Sequence, residues 1–208
     1  MKYYDIEQGS DEWFERRLGK VTSSHFSEIM ANSVNKKGEF DALAKWGDPA
    51  KRYAMRIALE KKTGKRIDTF QNNWMARGND LEPDARHKYE CQTFQLVNNG
   101  GLFIDKDFAT SPDGLIDGGG IEIKCVAFNT HFAVIENNNY DTSYKWQITG
   151  QLLIAELDFV DFVSYCPEFV PEKELFIFRI ERENMPTVQL KLRLEKFVEL
   201  VREYGSLL

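Results

Sequence analysis

The chain has 208 residues, of which 42% are hydrophobic and 13% aromatic, and its formal net charge at pH 7 is −6. This composition excludes an intrinsically disordered chain, which would carry fewer large apolar residues, and the length favours a single domain over residues 1–208. No apolar run approaches the ~20 residues that span a bilayer, and the polar N-terminal segment lacks the apolar core of a signal peptide. We therefore expect a soluble, cytoplasmic protein with no membrane partner.

Cysteines and histidines give no sign of a soft metal site. The three cysteines form no CxxC pair, and no two of the three histidines share a helical ligand spacing. Neither a disulfide framework nor a zinc or iron–sulfur site is supported by this pattern. Any metal bound by this chain is therefore predicted to be a hard ion with oxygen ligands.

The charge is distributed unevenly along the chain. Net negative charge alone argues against a nucleic-acid binder, but residues 45–66 contain eight lysines and arginines against two acidic residues. Such a segment could follow the phosphates of a nucleic acid. A solvated helix face explains the same residues equally well.

Helical signals come first in the chain. A helix is predicted to begin near Thr22 or Ser23, where hydroxyl caps precede apolar residues at helical spacing. A second helix is predicted from residue 48 to about 64, because Asp-Pro-Ala favours a helix start and glycine a helix end. A third covers roughly 74–89, with Pro83 either in its first turn or at a kink.

The apolar pattern then changes to the period of a strand. Short strands are predicted at residues 94–97, 101–104, 108–110 and 121–125, followed by a helix at 144–157, strands at 159–165 and 175–180, and a last helix at 187–204. In the strand 121–125, isoleucine and cysteine alternate with charged residues, which predicts one buried and one exposed face. This order of elements predicts an α/β domain with a central mixed sheet.

Two carboxylates and a lysine are predicted to converge near that strand. Glu122 and Lys124 project from one face, because alternate residues of a strand share a face. Asp113 lies in a Ser-Pro-Asp-Gly turn, and a hairpin bend over residues 115–120 would carry it back beside Glu122. Paired carboxylate oxygens suit Mg²⁺, and a lysine beside them can contact the attacking water or the scissile phosphate. The arrangement favours metal-assisted phosphodiester hydrolysis.

Each half of this pattern is common by itself. A Glu-x-Lys on an edge strand and a Pro-Asp-Gly turn both favour a structural role when they occur alone. Together and in this order they match the P-D…(D/E)-x-K signature of a large nuclease superfamily.

Four blocks then carry a more specific resemblance: EWFERRLGKVTSS, GNDLEPDAR, SPDGLIDGGGIEIKC and YKWQITGQLLI, which span about Glu12 to Ile154. In this order they resemble the phage lambda-type alkaline exonucleases, also called the YqaJ-like viral recombinase family, within the PD-(D/E)XK nucleases. The resemblance implies a restriction-endonuclease-like core, with a central mixed β-sheet flanked by helices.

The resemblance implies roles for the residues of the metal site. Asp113 and Glu122 would be direct metal ligands, with the carbonyl of Ile123 as a further one. Lys124 would be the catalytic lysine, and Glu82 would support the metal through water. A solvated helix carboxylate is the alternative for Glu82 when its block is read alone.

The resemblance also implies contacts with DNA. Gln147 matches an active-site glutamine, although Thr149 replaces the second glutamine of the family's Q-x-Q. Arg17, Ser24 and Ser111 fall where the family holds the 5′-terminal phosphate, and an arginine fork with hydroxyls suits that anion. Ser24 read singly is a helix cap. Met75 lies where the family places an apolar wedge against the terminal base pair, and a core-packing methionine is the alternative.

The implied function is a Mg²⁺-dependent 5′→3′ exonuclease on double-stranded DNA ends, with Mn²⁺ possible and one or two ions per site. It would release 5′-mononucleotides and leave 3′ overhangs for recombination with a single-strand annealing protein. A homotrimer, a phage or prophage origin and a bacterial host cytoplasm are implied as well. The alternatives are a structure- or site-specific endonuclease of the same superfamily and a non-catalytic DNA-binding subunit.

Overall fold

The computed structural model describes the backbone of residues 1–67 and 73–208 and, within these, the side chains outside residues 73–76. Its strands are Lys2–Tyr4 (β1), Val21–Thr22 (β2), Asn98–Asn99 (β3), Leu102–Asp105 (β4), Phe108–Thr110 (β5), Gly114–Ile116 (β6), Gly119–Cys125 (β7), Phe159–Tyr165 (β8) and Leu175–Glu181 (β9). Its helices are Asp11–Arg17 (α1), Phe26–Met30 (α2), Asp48–Thr63 (α3), Asn73–Thr93 (α4), Phe128–Asn137 (α5), Lys145–Ile154 (α6) and Thr187–Ser206 (α7).

The described strands form two mixed sheets. The larger sheet has the order β3-β6-β7-β8-β9, in which β7 and β8 pair in parallel and the other neighbours are antiparallel. The smaller sheet has the order β1-β4-β5-β2, in which β2 is parallel to β5. The predicted α/β class, with a mixed sheet flanked by helices, is confirmed. The second sheet is an addition that the sequence pattern did not separate from the first.

Helices cover both faces of the larger sheet. On one face, Ile121 and Ile123 of β7 share a buried cluster with Tyr89 of α4. On the other face, Phe162 of β8 packs with Leu152 of α6. Burying each such side chain contributes about 1.5–3 kcal/mol to stability. The strand β7 is therefore enclosed between α4 and α6.

A tight hairpin joins β6 to β7. The two strands pair in antiparallel register with Gly114 opposite Ile121. Gly118 has a φ of 73°, a left-handed conformation that side chains rarely tolerate. At Gly119 a Cβ would lie 2.4 Å from the ring of Phe159, so any larger residue would have to displace that ring. The glycine run thus allows both the turn and the close packing of β7 on β8.

A second core lies between α2, α3, α6 and α7. It is built on residues such as Phe26, Tyr53 and Phe197, and the rings of Tyr53 and Phe197 stack at 5.6 Å between centroids. This core fixes the face of α3 that carries Tyr53 against the segment after β2. Within the described part of the chain, the helices are too short or too polar to cross a membrane.

Most predicted elements are found, but not all of them. The prediction of a strand at 94–97 is wrong, because α4 continues to Thr93 and Phe94 then takes a left-handed φ of 57°. The helices α1 and α5 were not predicted, and the first predicted helix starts as a 3-10 turn at Ser23–His25 before α2. The assignment of residues 1–208 to one domain stays a prediction.

Candidate active site

The hairpin places Asp113 against β7. The backbone N–H of Asp113 donates to the carbonyl of Ile121 at 3.0 Å, which extends the β6–β7 ladder by one residue. In return, the backbone N–H of Ile123 donates to Oδ2 of Asp113 at 2.6 Å. Asp113 is therefore held beside the residues that flank Glu122, as the hairpin prediction required.

Ile123 presents a backbone oxygen to the same side of β7. In an antiparallel ladder, the N–H and C=O of one residue point to the same edge of the strand. Since the N–H of Ile123 points to Asp113, its carbonyl points to that side as well. The first residue of β6, Gly114, pairs with Ile121 of β7. The pairing of these two strands ends there, so no residue of β6 is paired with Ile123.

Glu122 lies beneath α6 and is fully buried. Its Oε1 accepts a hydrogen bond from Nε2 of Gln147 at 2.5 Å and also contacts the ammonium of Lys124. Its Oε2 accepts from Nε2 of Gln151. A buried carboxylate needs such donors, because an unpaired charge away from water is costly.

The prediction of one exposed face on this strand is therefore wrong for Glu122. The alternation of apolar and charged residues correctly places Ile121 and Ile123 on the α4 side. The opposite face is covered by α6, whose two glutamines donate to Glu122. Polar partners on a helix, rather than water, satisfy the charged face.

Lys124 is partly buried and retains its positive charge. Its ammonium pairs with Glu122 and lies 4.8 Å from the ring centre of Tyr144. Burial acts to lower the pKa of Lys124, but the carboxylates of Glu122 and Asp113 outweigh it and raise that pKa above its ordinary value. In this arrangement the lysine is a cation that balances the two carboxylates.

Glu82 approaches the site from α4. It forms an ion pair with Arg86 at 3.7 Å, and Arg86 also donates to the backbone carbonyl of Asp113. Burial raises the pKa of Glu82, and the charge of Glu122 adds to that rise while Arg86 opposes it. Glu82 is thus close enough to interact with the other carboxylates and is tied to Asp113 through Arg86.

The carboxylates fit a divalent cation held partly by backbone and water. Burial, followed by the negative charge of Glu122, raises the pKa of Asp113 well above its ordinary value. A divalent cation between the two groups would offset both effects. Among the described residues, no three acidic, histidine or cysteine side chains are placed to hold an ion by themselves. Two carboxylates, the Ile123 carbonyl and water are a ligand set that suits Mg²⁺.

The arginine and hydroxyls predicted to bind phosphate come from the smaller sheet. Strands β2 and β5 are parallel neighbours, and the segments with Ser24 and Ser111 leave their carboxyl ends. Nη2 of Arg17 donates to Oγ1 of Thr22 at 3.0 Å and to Oγ of Ser24 at 3.2 Å. Arg17 and Ser24 are therefore brought together.

Ser111 and Arg17 both contact Trp13. The guanidinium of Arg17 lies 4.5 Å from the ring centre of Trp13, whose indole N–H donates to Oγ of Ser111 at 3.2 Å. The hydroxyl of Ser111 in turn donates to the carbonyl of Gly101. Its hydrogen is thus already used, and direct contact with a phosphate would require that bond to break.

Met75 and Thr149 are two further positions that the sequence singled out. Met75 belongs to α4, but its side chain lies outside the described residues, so its wedge role stays a prediction. Thr149 is fully buried and its hydroxyl donates to the carbonyl of Lys145 within α6 at 2.7 Å. It therefore does not replace the missing glutamine at Glu122.

Comparison with known proteins supports the resemblance. Residues 12–158 match the YqaJ-like viral recombinase domain. The chain belongs to the YqaJ-like viral recombinase family. The span matched to this family includes each residue predicted to hold metal, water or phosphate, from Arg17 to Gln147.

Solved structures similar to this family member include two of the alkaline exonuclease LHK-Exo from Laribacter hongkongensis. One is 31% identical with a TM-score of 0.81, and the other, a complex with dAMP, is 30% identical with a TM-score of 0.82. Both comparisons cover 95% of this chain and 96% of the other. A phage-related exonuclease from Haemophilus somnus 129PT shares the fold, with 16% identity, a TM-score of 0.72 and coverage of 90% and 94%. No curated protein sequence matches the chain significantly.

The sequence analysis did not identify three residues that contact the site: Arg86, Gln151 and Trp13. Gln151 follows Gln147 by one helical turn and Arg86 follows Glu82 by one turn, so each pair shares a helix face. That spacing is the signal that would have found them. Trp13 had no comparable signal, because its link to Ser111 depends on how α1 packs on the smaller sheet.

Replacing Gln151 by leucine is expected to lower the hydrolysis rate about 10- to 100-fold and to raise the Mg²⁺ concentration needed for half-maximal rate. Residues that hold a metal ligand typically have effects of this size. Leucine keeps the buried volume but cannot donate to Oε2 of Glu122. Thr149→Val is the matched control, because it removes one buried hydrogen bond from the same helix without touching Glu122. Equal Mg²⁺ dependence in both variants would show that Gln151 only packs.

Proposed function

We propose that the protein is a Mg²⁺-dependent 5′→3′ exonuclease that acts on double-stranded DNA ends, releases 5′-mononucleotides and leaves 3′ single-stranded overhangs. Membership of the family and the likeness to an alkaline exonuclease support a nuclease that acts on DNA. The observation that carries the proposal is the convergence of Asp113, Glu122 and Lys124 around β7. Mn²⁺ would be an alternative ion, with one or two ions per site.

The residues around β7 have distinct parts in this proposal. Asp113, Glu122 and the Ile123 carbonyl would hold the ion, which supplies charge stabilisation and water activation when bound. Lys124 would orient or deprotonate the attacking water, from its position against Glu122. Gln147 fixes the Glu122 oxygen that Lys124 contacts, and Glu82 supports the site through water.

The terminal phosphate would set the position of the cut. Arg17 bonded to the hydroxyls of Thr22 and Ser24 offers a fork of donors that matches a phosphate. The chain from Ser111 to Asp113 joins this group to the carboxylates, so a held 5′ end would place a nearby phosphodiester at the metal. The complex of LHK-Exo with dAMP, a deoxynucleoside monophosphate, is consistent with mononucleotide release.

Arg17→Ala is expected to lower the preference for 5′-phosphorylated over 5′-hydroxyl duplex about 10- to 100-fold, while slow hydrolysis remains. This is the size of effect expected for charge-assisted hydrogen bonds to one phosphate. Rates on the two duplexes measure the preference. Arg16→Ala is the control, because Arg16 is exposed and pairs with Glu12. A preserved preference in Arg17→Ala would remove this arginine from the phosphate site.

The substrate class is tested by one panel of linear duplex, linear single strand and closed circular duplex, each with Mg²⁺ or EDTA. We expect the fastest digestion of linear duplex with a 5′-phosphate, and none in EDTA. Metal-independent degradation would contradict the proposal. Equal attack on the closed circle would favour a structure- or site-specific endonuclease, which has no use for a terminal-phosphate site.

The biological setting extends the proposal. A homotrimeric ring would explain how a chain of net charge −6 holds DNA, because enclosure and a basic lining can replace net positive charge. A single-strand annealing protein would take up the 3′ overhang, in the cytoplasm of a bacterial host of a phage or prophage. The complete set of Glu82, Asp113, Glu122 and Lys124 argues against a non-catalytic subunit.

A further inference from the structure

A second arginine, Arg56, lies near the hydrogen-bonded set of Arg17, Thr22 and Ser24. Arg56 is in the middle of α3 and is half-buried, with its guanidinium carbon 4.8 Å from the ring centre of Tyr53. Its Nη2 lies 2.9 Å from Nε2 of His25. The side chain is therefore held by two aromatic residues rather than extended into solvent.

The hydrogen-bond roles around Arg56 follow from its chemistry. A guanidinium can only donate, so Nε2 of His25 must accept. The ring hydrogen of neutral His25 is then on Nδ1, which donates to Oε1 of Glu28 at 2.8 Å. The His25 ring also packs on Tyr53, with centroids 4.4 Å apart. Glu28, His25 and Arg56 thus form a chain that fixes the orientation of the guanidinium.

Arg56 and Arg17 contact the same framework. The hydroxyl of Tyr53, over which Arg56 lies, accepts from the backbone N–H of Thr22 at 2.7 Å. Oγ1 of Thr22 accepts from Arg17, and Ser24, the other acceptor of Arg17, directly precedes His25. The two guanidinium groups are therefore positioned by one connected set of side chains.

Neither guanidinium meets a carboxylate among the described residues. Arg17 donates to two hydroxyls and Arg56 to the imidazole of His25. Burial lowers the pKa of Arg17, and the positive charges of Arg56 and Arg66 add to that effect. Tyr53 and the carboxylate of Glu60 act in the opposite direction, but Glu60 forms no direct ion pair with either arginine in the described part of the chain. Two neighbouring cations without a directly paired carboxylate among these residues form a site suited to an anion with more than one negative charge.

We propose that Arg56 and Arg17 together bind the terminal phosphate dianion, and that His25 and Glu28 hold Arg56 in place for this purpose. A terminal phosphate monoester carries about −1.5 to −2 charges near pH 7, whereas an internal phosphodiester carries one. Two cations therefore discriminate an end from an internal position better than one. This inference rests on the proposed function, since it specifies how the DNA end is selected.

The test is binding without hydrolysis. Fluorescence anisotropy in EDTA gives the affinity of one duplex with a 5′-phosphate and of the same duplex with a 5′-hydroxyl. We expect Arg56→Ala to lower the ratio of the two affinities about tenfold, a typical cost for one charge-assisted bond. Arg56→Lys, which keeps the charge but not the fork, should lie between, and His25→Phe, which keeps the ring but not the acceptor, should fall in the same direction.

The control is Lys62→Ala, which removes one positive charge from an exposed position on a different face of α3. It should leave the affinity ratio unchanged. An unchanged ratio in Arg56→Ala and Arg56→Lys, or no preference in the wild type, overturns the inference. These outcomes are separate from the proposed function, because hydrolysis of linear duplex with Mg²⁺ is measured independently. A chain that hydrolyses linear duplex but shows no Arg56 effect keeps the function and loses this inference.

Discussion

Lys124→Ala is expected to bind DNA ends with nearly wild-type affinity but to hydrolyse them about 10²- to 10⁴-fold more slowly. That range is typical when a positioned proton-transfer or water-orienting group is lost. The ammonium of Lys124 contacts Oε1 of Glu122 and lies over Tyr144, so it is positioned by the site rather than by solvent. Binding should survive, because Arg17, Ser24 and Arg56 are unchanged.

The measurement pairs a dissociation constant in EDTA with a single-turnover rate in Mg²⁺. Lys191→Ala, at an exposed position on α7, removes the same charge far along the chain and is the control. A Lys124→Ala rate close to that of the control would remove the lysine from the mechanism. Equal loss of binding and rate would instead indicate a damaged fold, which thermal unfolding of both variants distinguishes.

Asp113→Asn is expected to abolish measurable hydrolysis, with a loss of at least about 10³-fold, while the protein without metal stays folded. Metal ligation and charge stabilisation together account for an effect of this size. The asparagine oxygen can still accept from the N–H of Ile123, so the hairpin keeps its contact with β7. It lacks the charge needed to hold a divalent ion beside Glu122.

The same substitution should leave thermal stability equal or higher in EDTA. Because burial and Glu122 raise the pKa of Asp113, the folded protein favours the protonated acid. Stability is therefore lost as pH rises from the ordinary carboxyl range through the raised pKa, and asparagine avoids that loss. The melting-temperature advantage of Asp113→Asn should grow from acidic to neutral pH.

Addition of Mg²⁺ should reverse this order. Ion binding to the native state stabilises it, so the melting temperature of the wild type should rise with Mg²⁺ while that of Asp113→Asn changes little. Asp117→Asn, an exposed aspartate in the turn of the same hairpin, is the matched control and should respond like the wild type. Equal Mg²⁺ stabilisation of Asp113→Asn and wild type would place the ion elsewhere.

The hairpin part of this site could be predicted because its information is local. Asp113 and Glu122 are close in sequence, and the glycines between them permit only a few connections. The pairing of Gly114 with Ile121 then follows from a tight turn at Gly118. Alternation along β7 also assigned Ile121 and Ile123 to the correct face.

The part formed by α6 could not be predicted from the residues alone. Nothing within the sequence 121–125 shows that a helix will cover Glu122, and the exposed face expected there is buried instead. Gln147 was named only through the family resemblance, and Gln151 was missed. Both depend on the distance and angle at which α6 crosses β7, which are set by apolar contacts such as Leu152 with Phe162.

The residues proposed to bind the terminal phosphate show the same division between local and long-range sequence information. Arg17 and Ser24 lie in one block and meet as expected, but the contribution of α3 comes from residues about thirty positions away. From the sequence, the basic segment 45–66 that contains Arg56 fitted a nucleic-acid contact and a solvated helix face equally well. Its packing against His25 and Tyr53 favours a role for at least this arginine near phosphate.

The central claim is the direction of digestion, and differential end-labelling tests it most directly. One linear duplex carries a label on the 5′-terminal nucleotide of a strand, and a second carries it on the 3′-terminal nucleotide. With Mg²⁺, we expect early release of the 5′ label as a mononucleotide, with the 3′ label retained in a shortening strand until late in the reaction. Early release of the 3′ label, or labelled fragments of many lengths from internal cuts, would contradict a 5′→3′ exonuclease.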